Sequence, residues 1–66
     1  MKEFLLLHIK KNNKPIIIAI DDIEAVYTSK RDDITGTVIY HDKLESIMVN
    51  ESVERIFNMI NGKKHN

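Results

Sequence analysis

Apolar positions follow several rhythms along the chain, and each rhythm predicts a different element. From Glu3 to Lys10, EFLLLHIK loads consecutive positions with apolar side chains and shows no sustained helical period, which is the pattern of a short strand. It ends at KKNNK, where paired asparagines tolerate left-handed turn conformations, and the apolar run resumes as KPIIIAI. The β-branched density of this second run argues strand. Pro15 stands at its first position, where a missing N–H does least harm. The two runs are predicted to form a hairpin.

Acids at Asp21, Asp22 and Glu24 then break the pattern, and IEAVYTS resumes it as a third strand after a tight corner. KRDD, Lys30 to Asp33, is a polar tip. ITGTVIYH follows as a fourth strand, with Gly36 as a candidate bulge, and LESIMV, Leu44 to Val49, as a fifth. Turns this short keep consecutive strands antiparallel. The period then changes to helical, because Val53, Ile56, Phe57 and Ile60 fall at i, i+3, i+4 and i+7. Asn50 is placed to cap this helix, Glu51 to meet the positive end of its dipole, and Asn61-Gly62 to stop it. The expected fold is α+β: a curled antiparallel meander of about five short strands with one C-terminal helix packed on a face. Residues 1–62 make one small domain and residues 63–66 a polar tail.

Length sharpens this picture. A chain of 66 residues buries only about 60% of the surface its unfolded form exposes, and domains of this size commonly rely on disulfides, a metal or self-association. There is no cysteine, which excludes disulfides and thiolate zinc sites and fits a reducing compartment. Ten Lys plus Arg balance ten Asp plus Glu, for a formal net charge of zero. Nucleic-acid binders normally concentrate a basic excess on one face; here the bases are spread in small groups, Lys10, Lys11 and Lys14 at one turn, Lys30 and Arg31 at a second expected at the opposite end of the molecule, and Lys63 and Lys64 in the tail. The charge pattern therefore argues against nucleic acid. MKEFLLLHIKK is too short an apolar run for a secretory signal, which needs about 7–15 such residues, and no stretch approaches a membrane span. The expected location is cytoplasmic, without membrane insertion.

The residue types of a hydrolase do occur between Tyr40 and Ile60: His41 beside Asp42, then Ser46, Ser52 and the acids Glu45, Glu51 and Glu54. A working nucleophile needs a base within hydrogen-bond reach, an acid behind that base and oxyanion donors. Adjacent His41 and Asp42 point to opposite sides of an extended chain, and neither a nucleophile elbow nor a Gly-rich loop is present. Turn and cap chemistry accounts for these residues more simply, so no catalytic residue is assigned. His8, His41 and His65 have no metal-ligand spacing, and the acids at Asp21, Asp22 and Glu24 or at Asp32 and Asp33 lack the alternation and glycine of a calcium loop. No metal or cofactor is expected.

One feature exceeds what a small fold requires. The first two strands do not alternate: Phe4, Leu5, Leu6, Leu7 and Ile9, then Ile16, Ile17, Ile18, Ala19 and Ile20, load both faces. Strands of this kind are normally buried on both sides, and one helix covers one side. Either the sheet curls into a closed barrel, or its second face meets another copy or a partner. With neutral net charge and no disulfide, a homo-oligomer is expected, most simply a two-fold dimer. Its contact is either Phe4, Leu6, Ile16 and Ile18 or the opposite set Leu5, Leu7, Ile17 and Ala19, because a one-residue shift in register exchanges them.

The succession IDDIEAV, TVIY and VNESVERIFNMI, and above all the junction Val49 to Val53, resembles the short flagellar-operon family FlbD, also known as SwrD. The resemblance runs from about Leu5 to Ile60. NNK stands where the family commonly has Asn-Gly, and HDKLES also lacks that pair. The resemblance implies a cytoplasmic, non-catalytic accessory protein linked to flagellar motor function. A weaker resemblance, carried by IDDIEAV and the following hairpin and helix, is to the early part of LytTR-type DNA-binding domains, which continue with further strands and basic loops. It implies the alternative of a truncated LytTR-like protein, nucleic-acid-binding or regulatory, of a kind that a phage could carry.

Overall fold

Among the described residues, five antiparallel strands and one C-terminal helix make up the α+β fold: β1 (Phe4–His8), β2 (Pro15–Ala19), β3 (Ile23–Arg31), β4 (Ile34–His41), β5 (Ile47–Val49) and α1 (Val53–Lys64). The structure, a computed structural model, describes residues 3–31, 33–42 and 45–64. Met1, Lys2, Asp32, Lys43, Leu44, His65 and Asn66 lie outside the described residues, and with them the expected strand start at Leu44 and the tail histidine.

The β1–β2 turn closes as the asparagines predict. Asn13 takes a left-handed φ of 58°. Its N–H donates to the Ile9 carbonyl at 2.7 Å, and the Ile9 N–H donates to the Lys14 carbonyl at 2.9 Å. Between β3 and β4, Asp33 has φ 65°, matching a two-residue hairpin turn. The register irregularity of this hairpin lies between Ile23 and Ala25; Gly36, the expected bulge, pairs regularly with Ser29.

The strands fall into a two-stranded sheet, β1-β2, and a three-stranded sheet, β3-β4-β5. An antiparallel bridge between Ile9 and Val49 joins them. It is flanked by the Lys10 N–H donating to the Met48 carbonyl at 2.9 Å and the Asn50 N–H donating to the His8 carbonyl at 2.8 Å. The row therefore reads β2-β1-β5-β4-β3, with β2 and β3 at its two ends although they are consecutive in the chain. Laid flat, five strands would separate these ends by about 19 Å. The connecting 3-10 turn, Ile20–Asp22, advances only about 6 Å, so the row must curl.

Leu5, Leu7, Ile18, Ile39, Val49 and Ile56 are buried together on the concave side, surrounded by Ile16, Ile20, Ile23, Val26, Ile47, Met59 and Ile60. Burying each large aliphatic side chain contributes about 1.5–3 kcal/mol, which makes this cluster the main driving force of the fold. Helix α1 supplies Ile56 to it. Phe57, expected on the same stripe, is 62% exposed instead; the inward stripe is completed by Val53, Met59 and Ile60, which are half-buried.

Two expectations about the helix ends are corrected. Ser52, not Asn50, is the cap: its Oγ accepts from the Arg55 N–H at 3.1 Å, and its carbonyl accepts the first helical bond from Ile56 at 3.0 Å. The helix also runs through Asn61 and Gly62 to Lys64. Gly62 has no positive φ, so it is not the left-handed terminator the sequence suggests. No helix among the described residues is long and apolar enough to cross a membrane.

Candidate interaction surface

The β1–β2 hairpin pairs Phe4 with Ala19, Leu5 with Ile18, Leu6 with Ile17 and Leu7 with Ile16. Residues directly opposite share a face. The core face is therefore Leu5, Leu7, Ile16 and Ile18, and the outer face is Phe4, Leu6, Ile17 and Ala19. Both sets expected from the sequence are split by this register. Phe4, Leu6, Ile16 and Ile18 would need Leu6 level with an even-numbered partner, and the same shift breaks up Leu5, Leu7, Ile17 and Ala19. On the outer face Phe4 is 48% exposed, Leu6 53% and Ile17 67%, with Ala19 buried among them. Three large apolar side chains thus stand together in solvent on one side of two strands.

The outer face of the other sheet differs in character. Tyr27 and Tyr40 stack there with ring centroids 5.8 Å apart at 30°. A hydrogen bond to Tyr40, a small desolvation and the proximity of that second phenol raise the Tyr27 hydroxyl above its ordinary pKa.

Where the two sheets meet, Glu51 forms a polar tie. Its carboxylate accepts from the His8 backbone N–H at 2.9 Å and meets the His8 ring Nδ1 at 2.8 Å. Burial opposes the charge on Glu51, but the two His8 hydrogen bonds, its own backbone N–H and attraction to the ring together hold the carboxyl below its ordinary value. Beside it, the Asn50 side-chain amide donates to Asn13 Oδ1 at 2.8 Å. Asn50 thus binds the β1–β2 turn rather than the helix. The sequence contains no local signal for either contact, because each spans most of the chain.

Among the described residues the hydrolase-like residues make these contacts. His41 Nε2 lies 3.9 Å from Asp22 Oδ2, and the Asp42 backbone N–H donates to the Asp22 carbonyl. Ser46 is exposed just before β5 and Ser52 caps the helix. Among the described residues no three His, Asp or Glu side chains come together as a metal site.

The two basic turns, expected at opposite ends, are neighbours. A methyl group built on Gly36 would lie 3.0 Å from Lys10 Cδ and 2.6 Å from Met48 Sδ. The stem of Lys10 therefore crosses from the β1–β2 turn onto β4 near its hairpin tip. Gly36 is where the sequence could have revealed this approach, since a glycine inside a strand marks either a bulge or a close neighbour.

No protein-family model matches the chain, and neither a curated protein nor a solved structure shows significant similarity to it.

Proposed function

We propose that the protein is a non-catalytic accessory module of the cytoplasm that works by self-association through the outer face of β1–β2. The observation that carries this reading is the exposed group Phe4, Leu6 and Ile17. Contiguous apolar surface of this kind is costly to leave in water and characteristic of contact sites. A two-fold dimer covers the patch on both copies at once. Such a module presents a composite surface to a larger assembly, and the resemblance of Val49 to Val53 to the flagellar FlbD proteins makes a motor-associated assembly the first to test. Flagellar genes beside this one would support that role, and phage genes would count against it.

Sedimentation at micromolar concentration is the direct test. The expected result is a dimer for the wild type and a folded monomer for Leu6→Lys, since Leu6 is not part of the buried cluster. A clean monomer mass for the wild type removes the proposal.

A nucleic-acid reading gains one specific observation, the approach of Lys10 to the β3–β4 tip that carries Lys30 and Arg31. Sequence-preferring binding tighter than about micromolar in a gel shift at moderate salt would favour it over the protein-contact reading.

A further inference from the structure

The end of β1 and the beginnings of β4 and β5 border an open groove of about 670 Å³, lined by Ile9, Lys10, Lys11, Ile34, Ser46, Ile47 and Met48. Its volume falls within the range of about 300–1,000 Å³ typical of small-molecule sites. Four of the lining side chains are apolar, and Ile34 is 52% exposed although it is one of them. The polar lining side chains are one hydroxyl and two ammonium groups. Arg31, paired with Ile34 across the hairpin, adds a third cation on the same face. Among the described residues the ion pairs are His8–Glu51 and His41–Asp22, so no carboxylate there neutralises Lys10, Lys11 or Arg31. The acids next in sequence to the lining, Asp33 and Glu45, are exposed and do not line the groove.

We infer that this groove binds an amphipathic carboxylate, with its hydrocarbon body along Ile9, Ile34, Ile47 and Met48 and its anionic head at Lys10 and Lys11. Charge and apolarity are combined as such a molecule requires, since a lysine lays its hydrocarbon stem along an apolar wall while its ammonium group stays in water, and Lys10 and Lys11 are both exposed. Met48, unbranched and pressed against Gly36, is a side chain able to adjust to a flexible chain. A peptide segment fits less well, because β5 is engaged on both sides, by β4 and by the bridge to Ile9. It therefore offers no free edge to a second backbone. A nucleic acid fits less well because no aromatic side chain lines the groove to stack a base.

The test is a titration of the full chain with dodecanoate below its micelle concentration, followed by backbone amide NMR shifts. The expected result is saturable binding with shifts confined to Ile9–Lys11, Ile34 and Ser46–Met48. Lys10→Glu with Lys11→Glu should weaken it by about tenfold, as charge reversal at two contacts would. Dodecanol should bind correspondingly less well than dodecanoate, and Ile34→Glu should abolish binding. Lys10, Lys11 and Ile34 are exposed, so these variants fold, and wild-type amide dispersion verifies it. The inference is overturned if dodecanoate does not saturate, if dodecanol binds equally well, or if the double charge reversal changes nothing. It is equally overturned if the shifts centre on Phe4, Leu6 and Ile17, or if a short oligothymidylate displaces dodecanoate at lower concentration. The groove shares no residue with the outer apolar face, so a dimer that ignores dodecanoate, and a monomer that binds it, are distinguishable outcomes.

Discussion

Glu51→Ala should be among the most destabilising single changes at a charged position of this protein. The Glu51 side chain is only 11% exposed and serves two donors of His8 at once, the backbone N–H at 2.9 Å and the ring Nδ1 at 2.8 Å. Truncation leaves the partly buried His8 N–H without its acceptor, which costs about 1–3 kcal/mol. The His8 ring, 41% exposed, can turn to water, so its share is that of a surface pair, about 0.2–1 kcal/mol. A total of about 2 kcal/mol corresponds to a fall in Tm of roughly 8–16 °C for a domain of this size. Thermal and urea denaturation followed by circular dichroism measures it.

The pH dependence supplies an independent check. The folded-state pKa of Glu51 is held below the ordinary value of 4.5, so the unfolded chain takes up a proton first as pH falls. The contribution of the carboxylate is therefore fully present above 4.5 and is lost as pH drops through the lower folded value. Glu51→Gln, which keeps an acceptor but no charge, should lose less stability than Ala at pH 7 and should flatten this acid limb. A Glu51→Ala variant within about 0.5 kcal/mol of wild type at pH 7, the range of an ordinary surface change, would refute the reasoning. So would an acid limb that survives Glu51→Gln unchanged.

Further changes at Ser52, Asn50, Gly36 and Asn13 test the geometry by the same denaturation measurements. Ser52→Ala should cost about 1 kcal/mol through loss of the helix cap, whereas Asn50→Ala, which severs only an exposed amide link to Asn13, should stay within about 0.5 kcal/mol; the reverse order would restore Asn50 as the cap. Gly36→Ala brings a methyl group to within 2.6 Å of Met48 Sδ, but the atoms it meets belong to the flexible side chains of Met48 and Lys10, so both should turn aside and the net change should stay within about 1 kcal/mol. Met48→Ala in the same chain should then show a coupling no larger than about 0.5 kcal/mol; a coupling of several kcal/mol would mean that Met48 is held rigidly over the glycine. At Asn13, with φ 58°, glycine should be tolerated, while Val should cost about 1–2 kcal/mol because a β-branched side chain resists the left-handed region.

Local pattern made most of the elements legible, because strand and helix periods are written in neighbouring residues. Pro15 opening β2, the asparagine turn and the Val53–Ile56–Ile60 stripe all belong to that class. What local pattern does not carry is pairing between distant segments. The bridge of Ile9 to Val49, the Glu51–His8 tie and the approach of Lys10 to Gly36 depend on the curl of the whole row. Cap choice failed for a related reason. Asn50 and Ser52 both suit a helix start, and the backbone of Asn50 is already committed to His8 in the bridge, which moves the first helical turn two residues on.

The outer face turned on one integer. His8 and Pro15 are paired, and residues 9–14 connect them. An even number of connecting residues sets odd-numbered positions of β1 against even-numbered positions of β2. Leu5 therefore faces Ile18, and Leu6 faces Ile17. A connection one residue longer or shorter would have set Leu6 against an even-numbered isoleucine and assembled the sets read from the sequence. Because every position from Ile16 to Ile18 is isoleucine, side-chain chemistry cannot choose between the registers. The choice falls to the turn, where the left-handed Asn13, the Ile9–Lys14 bond and the side chain of Asn12 accepting from the Lys14 N–H at 3.0 Å hold the six-residue connection in place. The apolar surface that the protein presents is in this sense specified by its most polar segment.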